Sequence, residues 1–87
     1  MNAQLKVDYL NREERENTLD EMKIGQEGII TSTPQQPLLA PLGVRPGKRI
    51  RIRARERFGG PVVSEVEGRR VALGLNLARS IRVVEIV

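Results

Sequence analysis

The residues that come nearest to a chemical motif are Gly43-Val44-Arg45-Pro46-Gly47-Lys48-Arg49, which superficially resemble a phosphate-binding loop. The stretch is one residue short between its glycines, lacks the hydroxyl that would hold magnesium, and leads into a strand rather than a helix. Nucleotide binding is not expected. Hard oxygen ligands exist at Asp20, Glu21, Glu27, Glu65 and Glu67, with Glu65 and Glu67 expected two apart on one strand face. The chain holds neither histidine nor cysteine to complete such a set, and borderline transition-metal sites generally use imidazole or thiolate. Ser32, Ser64 and Ser80 likewise have no histidine to act as base. No catalytic residue, metal ligand, cofactor or enzymatic activity is expected.

Charge is what remains. The formal net charge is +4, but residues 1–24 carry four Lys/Arg against six Asp/Glu, while 44–57 carry seven against one. Within that basic stretch Arg49, Arg51, Arg53, Arg55 and Arg57 alternate with Ile50, Ile52 and Ala54. Period two over nine residues predicts a strand with one buried and one solvated face. At ~3.3 Å per residue the arginines would form a row about 26 Å long. Such a row suits phosphate, carboxylate or anionic headgroups alike. Single-strand binders usually add stacking platforms, and the chain has two aromatics, Tyr9 and Phe58. Phe58 falls at a hairpin tip, where the plain expectation is a core plug beneath the turn. Two aromatics also cannot line a proline-peptide groove.

The elements that must position these side chains are short. Thr18-Leu19-Asp20-Glu21 fits a capping box opening one helical turn, with Leu19 and Met22 on one side and Gly25 ending it. Gly28-Ile29-Ile30-Thr31-Ser32 reads as a strand by its β-branched content. Pro37 and Pro41 allow only a short, irregular helix before Gly43, which is expected in the left-handed conformation. Pro46-Gly47 is a natural central pair for a type II turn. Gly59-Gly60 makes a hairpin turn, Pro61 starts the next strand through 62–67, and Gly68-Arg69 turns into Arg70-Val71-Ala72-Leu73. One helical turn is expected over 74–80, then a closing strand over 81–87 with Ile81, Val83, Glu85 and Val87 on one face.

Five short strands with tight turns in about seventy residues predict a mainly β fold, a small closed barrel. One domain is expected over 18–87, preceded by a charged, flexible extension over 1–17 in which Leu5 and Tyr9 could dock. No apolar run is long enough to span a bilayer and the N-terminus is not a signal peptide, so a cytoplasmic protein is expected.

From residue 19 to 87 the chain resembles the FeoA family of small SH3-like proteins associated with bacterial ferrous iron uptake. The matching pieces are Leu19 with Met22, Gly25, Gly28-Ile29-Ile30, Leu42-Gly43-Val44-Arg45-Pro46-Gly47, Phe58-Gly59-Gly60-Pro61, Gly68, Val71-Ala72-Leu73-Gly74 and Ala78 ahead of Ile81-Arg82-Val83. Two features depart from the pattern: the proline-flanked stretch 35–41 replaces a charged amphipathic helix, and residues 1–17 have no counterpart in the minimal domain. The resemblance implies an SH3-like barrel acting as a non-enzymatic accessory at the cytoplasmic face of FeoB, the membrane iron transporter with a GTPase domain. Any GTP chemistry would then belong to the partner. The residues expected to make that contact are Leu38, Leu39, Leu42 and Arg45, because a proline-flanked Leu-Leu-Ala-Pro-Leu run is apolar yet poorly shielded by its own helix. For Leu39 and Leu42, plugging the barrel mouth is an equal alternative. Weak self-association is left open. The alternative function is a basic module of a metal-dependent regulator or nucleic-acid-binding protein, using Arg49, Arg51, Arg53, Arg55 and Arg57.

Overall fold

The computed structural model describes residues 16–86. Six antiparallel strands form one sheet in the order β1-β6-β2-β3-β4-β5. They are β1 (Glu16–Thr18), β2 (Glu27–Ser32), β3 (Arg49–Arg55), β4 (Val62–Val66), β5 (Arg69–Leu73) and β6 (Arg82–Glu85). The helical parts are single turns: 3-10 turns at Leu19–Glu21 and Ala40–Leu42, and a four-residue α1 (Leu75–Ala78). Most of the expected extension, with Leu5 and Tyr9, lies outside the described residues. Glu16 and Asn17, assigned to that extension, instead open β1, which pairs with β6. That adds a sixth strand to the five expected.

The core is aliphatic, as the composition demands. Leu19, Met22, Ile50, Ile52, Ala78, Ile81 and Val83 are wholly buried in one cluster. Closure is by packing rather than by a continuous ladder. The sheet runs from β1 to β5, and no ladder joins those two among the described residues. Between the elements that follow these two edge strands, α1 contacts the Leu19–Glu21 turn.

Tight turns set the strand ends, and several of them hold residues at positive φ. Gly43 sits at φ +87° where the Ala40–Leu42 turn stops. Gly47 sits at φ +91°, and the Lys48 amide donates to the Arg45 carbonyl at 3.2 Å, closing the expected turn around Pro46-Gly47. The β4–β5 hairpin turns at Glu67-Gly68 (φ +52° and +77°), one residue earlier than expected; consecutive positive φ values are the mark of a two-residue type I′ connection.

The strict alternation read for 49–57 holds only to Ile52. Ile52 pairs with Ser64, but the next partners are Ala54 with Val63 and Arg55 with Val62. Arg53 is therefore the extra residue of a β-bulge, and beyond it the side chains exchange faces. Ala54 is exposed beside half-buried Val63, while Arg55 pairs with buried Val62. Arg57 lies past the strand, in the hairpin connection. A single 26 Å row of five arginines on one face is thus corrected to Arg49 and Arg51, with Arg53 displaced, Arg55 on the other face of the strand and Arg57 off the strand.

Candidate functional site

The segment between β2 and β3 is pinned by its own backbone. The Leu39 amide donates to the Gln36 carbonyl at 3.1 Å, and the Leu39 carbonyl accepts from Leu42 and Val44, each at 3.0 Å. The Gly47 amide donates to the Ile30 carbonyl at 2.7 Å, tying the far end of the segment to β2. Within this frame the three leucines divide. Leu39 is 2% exposed and belongs to the core, as does Val44. Leu38 is 71% and Leu42 39% exposed. Leu39 is thus the anchor that lets its two neighbours face solvent, and it offers no surface of its own. Beside Leu38 an open depression is lined by Pro34, Gln35, Gln36 and Pro37.

Arg45 stands at the edge of this apolar patch, held from across the barrel end by the β4–β5 turn. Glu67 Oε1 accepts from Lys48 Nζ at 3.0 Å and lies 3.5 Å from Arg45 Nη2. The hydrogen bond from Lys48, then its charge, hold the Glu67 carboxyl below its usual range. Glu67 therefore belongs to a turn that bridges two cations, not to a strand face shared with Glu65. Gly43 fits tightly beneath: a Cβ there would lie 3.3 Å from Val66 Cγ1. Leu38 and Leu42 are thus exposed on this segment, and Arg45 follows it at the start of the turn into β3.

The basic face is different in kind. Across the outer surface the register aligns Glu27, Arg51, Glu65 and Arg70 on four successive strands, alternating in sign. Glu27 also lies 3.9 Å from Arg49 and 3.8 Å from Arg51. Arg55 is occupied elsewhere: its Nη2 donates to the carbonyls of Asp20 and Met22, closing the 3-10 turn against β3. Of the arginines expected to face phosphate, two share a carboxylate and one is a structural brace. At Thr18 the amide donates to Glu21 Oε1 at 3.2 Å, and this bond with that of the hydroxyl lowers the Glu21 pKa. Among the described residues no group of three potential metal ligands gathers. No described helix is long and apolar enough to cross a membrane.

Sequence reasoning missed two exposed apolar side chains at the opposite end. Ile24 is 63% exposed, and Phe58, expected as a core plug, is 102% exposed at φ +60°. The run of Gly59, Gly60 and Pro61 after Phe58 was the available signal: a turn built from residues without side-chain bulk leaves nothing to cover an aromatic.

Comparison with known proteins agrees with this fold. Residues 17–85 match the FeoA domain. A crystal structure of an iron uptake regulatory protein (FeoA) is similar at 29% identity and a TM-score of 0.75, covering 82% of this chain and 97% of that one. A manganese-dependent transcriptional repressor is similar at 25% identity and a TM-score of 0.73, over 82% of this chain but 42% of its own. The FeoA protein from Chlorobium tepidum shares the fold at 24% identity and a TM-score of 0.75, over 82% of this chain and 71% of that one. No curated protein matches the chain.

Proposed function

The chain belongs to the FeoA domain family, and from that premise we propose a non-enzymatic accessory protein of ferrous iron uptake. It acts at the cytoplasmic face of the membrane, by direct contact with a FeoB-type, GTPase-linked iron transporter. The observation that carries this reading is the pair Leu38 and Leu42, exposed on a segment that its own hydrogen bonds hold rigid. An apolar patch presented on a preorganised loop loses little conformational entropy on binding, and a charged rim such as Arg45 supplies direction. The family's link to iron supports the partner's class, and the crystal-structure relative matches almost along its whole length.

The test is co-purification of the full chain with the transporter. Leu42→Asp, alone or with Leu38→Asp, should abolish association while leaving the thermal transition in place, because both side chains already face water. Retained association, or an unfolded Leu42→Asp variant, would remove these residues from the contact. Leu39→Asp should instead unfold the chain.

The second reading, a basic module of a metal-dependent regulator, draws support from the manganese-dependent repressor's similarity. The alternating charges of the outer face weigh against it. Titration with duplex and single-stranded DNA at two salt concentrations separates the two. Tight, steeply salt-dependent binding would favour the regulator.

A further inference from the structure

The end of the barrel away from Leu38 and Leu42 carries an aromatic whose placement costs stability twice. Phe58 holds φ +60°, backbone that disfavours bulky side chains, and it is fully exposed, forgoing the burial an aromatic can contribute. Glycine at 58 would relieve both, so the hairpin's own folding does not call for phenylalanine. Backbone strain kept at an exposed tip is a sign of use.

Ile24 is at the same end. The Gly25 amide donates to the Ile52 carbonyl at 2.7 Å and the Gln26 carbonyl accepts from the Ile52 amide at 3.0 Å. This pairing sets Ile24 level with the last residues of β3, from which the Phe58 hairpin extends. Lys23, Arg53 and Arg57 flank the two apolar side chains, and none has a carboxylate within ion-pair distance among the described residues. Glu56 is the acid among them, and Asp20 nearby lies 3.9 Å from Arg79.

We propose that this end, Phe58 and Ile24 with Lys23, Arg53 and Arg57, is a reversible contact for an anionic lipid surface. The two apolar side chains enter the boundary between headgroups and acyl chains, and the cations face the headgroups. Lipid suits the geometry better than a protein pocket does. Anchors at protein interfaces sit in a patch whose neighbours exclude water, whereas Phe58 has no such surround. Two separate prongs ringed by unpaired cations are what an interfacial layer accepts. Each such signal is weak alone, so stable recruitment needs a second one. The contact is independent of the transporter reading: it uses the other end of the molecule, and its test contains no transporter.

The experiment is co-sedimentation of the full chain with vesicles of phosphatidylcholine alone and of phosphatidylcholine mixed with phosphatidylglycerol. The chain should bind the mixed vesicles and lose most of that binding on the neutral ones or at high salt. Arg53→Gln and Arg57→Gln should each weaken partitioning about fivefold. Phe58→Gly should weaken it roughly tenfold, with a thermal midpoint equal to or above the parent's, so that unfolding does not explain the loss. Ile24→Ser should act in the same direction. Failure of the parent chain to bind mixed vesicles would overturn the proposal. So would unchanged binding by the Phe58→Gly, Ile24→Ser double variant, which would reduce the effect to nonspecific charge. Impaired binding of Phe58→Gly to an isolated protein, with no vesicle binding by either form, would assign the tip to a protein pocket and also overturn it.

Discussion

Arg55 shows how far one residue can depart from its sequence neighbours. In the alternating pattern it is one of five equivalent arginines, yet its guanidinium satisfies the Asp20 and Met22 carbonyls. Arg55→Ala should destabilise the chain by about 1–3 kcal/mol in urea unfolding, because it leaves those acceptors without their donor. Arg53→Ala should stay within about 0.5 kcal/mol of the parent. Equal effects would contradict the bracing role of Arg55. Ser64 presents the opposite case: its Oγ is buried with no hydrogen-bond partner, between Ile52 and Val71 in register. Ser64→Ala should therefore leave stability unchanged or raise it by up to about 1 kcal/mol, read as a higher urea midpoint. Glu21 and Glu67 contribute to the acid limb of stability. Both carboxyls are held below their ordinary value of 4.5, Glu21 chiefly by the Thr18 amide and Glu67 chiefly by Lys48. A lowered carboxyl binds its proton more weakly when folded than when unfolded. Its contribution is therefore complete above that ordinary value and is lost as pH falls through the lowered one. Glu67→Gln should flatten the decline of the thermal midpoint below about pH 4.5 and change its slope little near neutrality.

At the scale of elements, glycines, prolines and β-branched runs made most of the fold legible before any coordinate. The capping box at Thr18, the left-handed stop at Gly43, the Pro46-Gly47 turn and the helical turn after Gly74 all stand where local chemistry put them. Period two also marked β3 correctly through Ile52. The bulge at Arg53 was not legible, because a residue inserted into a ladder changes the pairing partner without changing the composition of the strand. β1 was hidden for a related reason: Glu16 and Asn17 look like solvated polar residues until β6 supplies the partner. Of the candidate contacts, Leu38 and Leu42 are exposed, while Leu39 is buried and could be told from them only by its place in the packing. One expectation follows from β2. A Cβ at Gly28 would come within 2.8 Å of the Val84 carbonyl oxygen on β6. Gly28→Ala should cost about 1–3 kcal/mol and speed amide exchange in both strands, whereas Gly25→Asn, in open space but at φ +88°, should carry only the smaller cost of the left-handed backbone.

For the molecule as a whole, the two proposed contacts separate along the strand direction. The β2–β3 segment puts Leu38, Leu42 and Arg45 at one end, and the β3–β4 hairpin puts Phe58 at the other, with the sheet between them as a rigid spacer. Leu42→Asp and Phe58→Gly should therefore have additive effects on recruitment, each removing one contact and sparing the other. The sheet itself leaves a vulnerability. β5 has no ladder partner on its outer side among the described residues, and exposed Arg69 and Arg70 occupy its first two positions. Like charge on matching rims is what keeps two molecules from zipping together, and salt at about 1 M shortens the reach of that repulsion to ~3 Å. Concentrated, salty solutions should accordingly drive this chain toward dimers paired edge to edge through β5, and replacing both arginines with threonine should produce them at ordinary ionic strength.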